Sequence, residues 1–432
     1  MPTIAFASVG CKLNRYEIQV MSEALRPYGF ETVPFSKPAD CYVINTCSVT
    51  SDADLSSRQL IRRARRRNPL GKVIATGCYA QLQPDDIKEL DVDAVISNRD
   101  KENLPAVICQ LFDIPVNLDG RGNIPIITGM MGMTRAFVKI QDGCDDECTF
   151  CTIWMARGPV RSRQVYQIIE EINKLSENDY KEVALTGVHI GKYNNDGLDF
   201  TGLLRTLLLG TSIPRIRLSS LNPTEITDDL IALMIEHKRL CPHIHLSVQA
   251  GDDGILQAMG RKYRAADVLA ITKQLTDSIP NITIGADFIV GFPGESIEAF
   301  ENTRHLIAEG DFHHLHIFPY SDRPGTNASI LDGKVTAGEK ARRTAMLREL
   351  GHTKRIQHLE SFVGKPLHVL FENRELKSNM TGLSDNYLRV DAALDRRFLG
   401  EIVEAVPYEI CGDHLITNAI TGTVPDKKEL TF

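Results

Sequence analysis

The chain has 432 residues, 43% of them hydrophobic, and a formal net charge of −7. That length calls for two or three domains with ordinary cores, and the charge excludes a globally basic nucleic-acid binder, so any such role must rest on a local patch. No apolar run approaches the roughly 20 residues needed to span a bilayer and no basic-flanked leader opens the chain, so a cytosolic location is expected, where ten cysteines point to metal ligation or catalysis rather than disulfides.

The first 112 residues alternate strand and helix patterns. Apolar runs at 3–9, 41–45, 72–76 and 94–96 are each followed by helical periodicity, near 14–28, 51–68, from Pro84, and 102–112. This order predicts a parallel, helix-covered sheet. All its strands then point the same way, so the segments "SVGCK", "NTCSV" and "TGCYA" deliver Cys11, Cys47 and Cys78 to the one carboxyl-end edge where ligands bind in open α/β sheets. Three thiols from distant positions can meet there at one metal centre. Cys41 starts its strand and belongs to the opposite edge, while Cys109, Cys241 and Cys411 are isolated; these four are expected to be small buried residues.

A stretch dotted with glycine and proline, 113–133, reads as a linker. The segment "AFVKIQDGCDDECTFC" then supplies a strand followed by Cys144, Cys148 and Cys151 in a C-x3-C-x2-C loop. No fourth ligand lies close enough to close a tetrahedral zinc site, the next histidine being His189. Three thiolates on a four-iron cluster would instead leave one iron open. From 135–141 to 313–318, strand-like runs alternate with helical patterns such as 162–175 and 297–308, which predicts a full or partial βα barrel over 134–360 with its site at the carboxyl ends of the strands. His243 with His245, and His314 with His316, alternate along strands and so share faces, a placement that suits structural histidines as well as ligands. Residues 335–360 read as one long helix, and the alternating runs and glycine turns of 363–432 as a small β-barrel.

One local patch is strongly basic. The segment "RQLIRRARRRNPLGK" carries seven basic and no acidic residues. At helical spacing Leu60, Ile61 and Ala64 form an inward stripe, with Arg58, Arg62, Arg65 and Arg66 expected opposite it as phosphate contacts.

The C-x3-C-x-aromatic-C loop, with Phe150 as the aromatic, resembles the signature of the radical S-adenosylmethionine (SAM) superfamily. Joined to "GCKLN", "NTCSVT", "TGCYAQ", "ARGPVRSR", "LTGVHIGKY", "VGFPGE" and "FPYSDRPGT", it makes nearly the whole chain similar to the methylthiotransferases, which end in an RNA-binding TRAM module. The resemblance implies an α/β protein in three parts: an N-terminal parallel αβα sheet, a central partial radical SAM barrel and a TRAM-like β-barrel. It implies that Cys144, Cys148 and Cys151 hold a [4Fe-4S] cluster whose open iron binds SAM. It implies a second [4Fe-4S] cluster on Cys11, Cys47 and Cys78, with SAM as both radical source and methyl donor, and SAM contacts at Phe150, Gly187, Gln249 and Gly291.

The "GCKLN" and "TGVH" forms are most similar to the branch acting on N6-threonylcarbamoyladenosine in tRNA, with the 2-methylthio derivative as product. Isopentenyladenosine or a ribosomal-protein side chain as substrate, or a non-catalytic iron–sulfur RNA-binding protein, remain as alternatives. Implied partners are tRNA, an electron donor such as flavodoxin or ferredoxin, and a sulfide source, for a chain acting as a monomer away from membranes. Trp154 and Met155 in "CTIWMARG" depart from the aliphatic-proline-aromatic stretch of that family and leave substrate contacts there open.

Overall fold

The computed structural model describes residues 1–116, 125–376, 379–393 and 396–421. Residues 117–124 of the expected linker and 422–432 of the expected β-barrel lie outside the described residues.

The N-terminal part is built from β1 (Thr3–Ser8), α1 (Lys12–Leu25), β2 (Glu31–Val33), β3 (Cys41–Thr46), α2 (Ser51–Arg67), β4 (Lys72–Gly77) and β5 (Ala94–Ile96). The strands lie in the order β2-β1-β3-β4-β5 with every pairing parallel. All six residues of β3 are buried, as befits a strand covered on both faces. On one side Ile4, Met21, Val43, Ile74 and Ile108 form a core; on the other Tyr42, Ile44, Ile61, Ala75 and Tyr79 do so.

The parallel strands in the middle of the chain are Ala136–Lys139, Glu182–Thr186, Arg215–Leu218, His243–Gln249, Thr283–Val290 and His314–Pro319. They pair in parallel as two three-stranded sheets, and the bridges Ile216 to Leu240 and Leu221 to Leu246 join the sheets into one arc. The result is a partial barrel. Its open side receives α1, whose Tyr16 enters the barrel core and bonds Glu171 at 3.1 Å.

The helix Ala337–Glu360 starts on Thr336, whose hydroxyl caps the Glu339 amide, and packs Gly351 against Leu315 of the last barrel strand. It leads into a seven-stranded, largely antiparallel sheet with a core of Val369, Phe371, Leu388, Val390, Ala405 and Leu415. Arg217 fixes that sheet to the barrel. Its guanidinium is fully buried, holds Glu182 at 2.7 and 3.1 Å, and donates to the carbonyls of Asp385 and Ser384 at 2.8 and 3.0 Å. Among the described residues no helix is long and apolar enough to cross a membrane.

Cys41, Cys109 and Cys241 are buried, as expected. Cys411 is not: it ends a three-residue strand at the edge of the C-terminal sheet, where nothing covers it, and it is exposed.

Candidate active site

The parallel register of the first sheet brings three cysteines to one edge. Cys11 precedes α1, Cys47 follows β3, and Cys78 follows β4 as the first residue of the short helix Cys78–Leu82. Gly10 takes a left-handed φ of +94°, and a Cβ there would come within 2.7 Å of the Cys47 sulfur. Only glycine lets the turn before Cys11 lie so close to the second thiol. The Cys78 sulfur accepts from Asn98 Nδ2 at 3.6 Å. Cys47 and Cys78 are buried whereas Cys11 is exposed. Burial pushes the Cys47 thiol up to about 12, with the neighbouring Cys78 and Cys11 adding to the rise.

The second trio sits on a loop tied to the barrel at several points. The Cys144 amide donates to the Gly158 carbonyl at 3.0 Å, Thr149 bonds Met259 and Ala258, and Ala328 donates to Thr149 at 2.8 Å. Phe150 packs, half-buried, against the barrel core. Two side chains that spacing alone does not reveal touch this loop: His189 Nδ1 lies 3.6 Å from the Cys144 sulfur, and Arg261 donates to the Cys148 sulfur at 3.4 Å. Glu225 and Asn222 engage the other nitrogen of His189. Burial alone would lower the His189 pKa, but its bonds to Cys144 and Glu225 and the nearby Asp146 charge raise it to about 9. Burial lifts Cys151 to about 12.

The segments that carry the two trios are in contact. The residue after Cys151, Thr152, donates to the carbonyl of Ser48, the residue after Cys47, at 3.3 Å. The helix that follows, Ile153–Arg157, is tied to the first sheet by Asn98, which bonds the Ala156 carbonyl at 2.9 Å. Arg157 then crosses the boundary to Glu17 at 2.7 Å and Asn14 at 2.8 Å, while also holding Asp142 of the barrel at 3.1 Å. On the far side Arg323 reaches Asp54 at 2.5 Å and Ser48 at 2.7 Å. Trp154 and Met155 lie on the bridging helix Ile153–Arg157.

The donor sets suit clusters better than single ions. A mononuclear thiolate site with metal–sulfur bonds of about 2.3 Å would draw three sulfurs within about 4 Å of one another. Among the described residues neither trio forms a group whose donor atoms all lie within 4.8 Å, although Cys144 does so with Asp146 and His189; in each trio the sulfurs lie near enough to influence one another's protonation.

The Radical SAM superfamily profile matches residues 138–307, and that of Uncharacterized protein family UPF0004 matches residues 3–97. The chain is 36% identical over 395 residues to the threonylcarbamoyladenosine tRNA methylthiotransferase MtaB of Thermotoga maritima, covering 90% of this chain and 91% of that one. It is 35% identical to the Bacillus subtilis protein of the same name, covering 94% and 93%. The chain belongs to the methylthiotransferase family of radical SAM enzymes, in its MtaB branch. Among solved structures, the radical SAM methyltransferase TsrM of Kitasatospora setae overlays with a TM-score of 0.55 at 14% identity, covering 76% of this chain and 77% of that one, a likeness of fold. As a radical SAM enzyme, this methylthiotransferase uses a [4Fe-4S] cluster and SAM.

Around the barrel mouth, Gln249 ends its strand in a left-handed conformation of φ +72°, next to a register shift. A non-glycine residue held there is the kind of strain that marks ligand sites. Gly187 lies against the Gln141 carbonyl, and Gly291 donates to Glu295, which pairs in turn with Arg343.

The basic helix α2 is less uniform than its sequence. Arg62, Arg63 and Arg66 are exposed and form a ridge. Arg65 instead bonds Asp91 and Asp93 at 3.1 and 2.8 Å and the Gly71 carbonyl at 2.8 Å, and Arg58 lies over the Tyr79 ring at 5.8 Å. Positions 58 and 65 are one helical turn from buried Ile61 on either side, so they flank the inward stripe rather than oppose it. The expectation that all four arginines share a free face is corrected for Arg58 and Arg65, and Arg63 joins the ridge.

Proposed function

We propose that this chain methylthiolates C2 of N6-threonylcarbamoyladenosine next to the anticodon of tRNA. The observation that carries the reading is the contact between the segments bearing the two cysteine trios, made by the Thr152 to Ser48 hydrogen bond. The name shared by relatives aligned over most of the chain supports the substrate. The C2–H of an adenine is not acidic enough for a side-chain base, so its removal calls for radical chemistry. Bound at Cys144, Cys148 and Cys151, a cluster with SAM supplies that radical, and a second cluster at Cys11, Cys47 and Cys78 would supply the sulfur site.

The protein's own part is to hold the two sets in fixed relation. Arg157, Asn98 and Arg323 do so from buried or half-buried positions. Phe150, Gly187, Gln249 and Gly291 are the proposed SAM contacts. Segments 1–112, 134–360 and 363–432 act as the units, joined by the linker 113–133. A monomer supplied by flavodoxin or ferredoxin and by a sulfide source meets the remaining needs.

Bulk tRNA from a strain lacking the gene should lose 2-methylthio-N6-threonylcarbamoyladenosine and accumulate its unmethylthiolated precursor, read by mass spectrometry of nucleosides. Unchanged nucleosides beside an altered ribosomal protein would overturn the reading.

The arginine ridge gives this reading a physical test. Each lost phosphate contact lowers the salt slope of RNA binding by about 0.7 to 0.9. Glutamine at Arg62, Arg63 and Arg66 together should therefore flatten the slope by about 2 and weaken tRNA binding at low salt. Arg65→Gln should leave the slope near the wild-type value, because that guanidinium is already engaged.

A further inference from the structure

The barrel carries a polar inner face that neither cysteine trio uses. Along the last three strands Ile244, Leu246, Ile284, Ala286, Phe288 and Ile317 join the hydrophobic core. The alternate residues, His243, His245, Asp287, His314 and His316, therefore point away from the covering helices and into the barrel. βα barrels commonly fill this space with branched aliphatic side chains. Five polar side chains on three adjacent strands need another reason.

Their arrangement is built rather than incidental. Asp287 Oδ1 accepts from His245 Nε2 at 2.8 Å and from His316 Nδ1 at 3.0 Å, and His314 Nε2 lies 2.9 Å from His316 Nε2. The His245 ring lies over the backbone of Gly285, where a Cβ would sit 2.4 Å from Nδ1, so no other residue leaves it room. Both bonds to Asp287 use Oδ1, and among the described residues its Oδ2 is left to accept. His243 is buried with no partner for either ring nitrogen among the described residues, and it stacks on Tyr387 at 4.2 Å. Lys12, the residue after Cys11, is half-buried on α1, and its charge acts on His243, the first residue of the strand that carries His245. Lys12 makes no hydrogen bond or ion pair among the described residues.

We propose that this chamber is the subsite for the N6 substituent of the substrate base, with Asp287 Oδ2 accepting from a carbamoyl N–H and Lys12 meeting the carboxylate. The inference rests on the N6-threonylcarbamoyladenosine reading, because that substituent bears the matching N–H groups, hydroxyl and carboxylate. Asp287 and His316 each stand three residues before the end of their strands, about 10 Å below the barrel mouth. That depth suits a side group hanging from a base seated between the two trios. An apolar isopentenyl group would leave the ammonium and carboxylate desolvated and unmatched, a mismatch that can reject a substrate by about 10⁴-fold.

The test uses the iron-loaded full chain and two anticodon stem-loop RNAs, one carrying N6-threonylcarbamoyladenosine and one the unmodified base. The wild type should bind the modified RNA more tightly and methylthiolate it. Asp287→Asn and Lys12→Gln should each raise KM for it about tenfold or more at wild-type iron content, as expected for a lost hydrogen bond to a charged group. They should also bring the affinities for the two RNAs together. A merely structural role would weaken both alike. Should Asp287→Asn fail to fold, Lys12→Gln tests the same subsite from another element. Wild-type turnover with preference unchanged in the variants overturns the subsite alone, whereas absence of wild-type product overturns the substrate reading and the subsite with it. One equivalent of zinc per chain, lost in His245→Ala, would make the cluster a metal site instead.

Discussion

Alanine at Cys144, Cys148 or Cys151 is expected to abolish 5′-deoxyadenosine formation, whereas alanine at Cys11, Cys47 or Cys78 should remove about half of the iron and all of the methylthio product. The division follows from placement. The first three thiols lie on a loop tied to Met259 and Ala328 of the barrel part of the chain, the second three at the edge of a separate sheet. Loss of one set leaves the backbone of the other in place, so SAM cleavage should stay measurable under a strong reductant in the Cys11, Cys47 and Cys78 variants. Cys41 provides the control. It is wholly buried at the amino end of β3, remote from the carboxyl edge, and Cys41→Ala should keep iron and product with a packing loss of about 1 kcal/mol. Iron content, 5′-deoxyadenosine and modified nucleoside after anaerobic reconstitution are the three readouts. Iron lost from Cys41→Ala but retained by Cys47→Ala would refute the strand-end geometry. Reconstitution should also speed up as pH rises, because Cys47 and Cys151 are held protonated up to about 12 and a cluster takes only thiolates.

Much of this architecture was legible because it rests on local period. The first and last barrel strands fall within one or two residues of their apolar runs, and β5 coincides with its run at Ala94–Ile96. The cysteine trios were legible for a related reason: a parallel sheet turns strand ends into neighbours, whatever their separation in sequence. Short elements escaped, two of them in the N-terminal part beside the cysteines. The edge strand β2 is the three-residue "ETV", exposed at two positions, with no alternation to read. The helix Cys78–Leu82 has five residues and begins on the thiol itself. The polar contacts around the site were invisible for another reason. His189 to Cys144, Arg261 to Cys148 and Arg157 to Glu17 join residues 45, 113 and 140 positions apart, and no periodicity encodes such pairs. Arg65 shows the converse error. Its stretch contains no acidic residue, but the fold brings Asp91 and Asp93 to it from the turn before β5.

Replacing Arg157 should separate the two halves of the site without removing a single thiol. Its guanidinium is 3% exposed and neutralises Glu17 of α1 and Asp142 of the barrel, so the boundary between the parts closes over a buried charge network. Burial opposes ionisation of Glu17, and Arg157, with Lys101 and Lys139, overcomes it and holds that carboxyl well below the usual range. Its contribution is therefore present above the ordinary carboxylate pKa and is lost as pH falls through the depressed value. In Arg157→Met, Lys101 still pairs with Glu17 at 2.5 Å and Lys139 with Asp142 at 3.3 Å. The cost should accordingly sit at the low end for a broken buried pair, about 3 kcal/mol at pH 7, read from urea unfolding. Arg157→Lys keeps the charge but cannot span Glu17, Asn14 and Asp142 together, and should recover only part of that loss. Function should fail differently from a thiol variant. With all six cysteines present iron binding persists, but the contact between the segments bearing the trios is no longer held, so 5′-deoxyadenosine should form with little methylthio product. A variant in which product falls only in proportion to 5′-deoxyadenosine would mean that Arg157 stabilises the fold and does nothing to align the two sets.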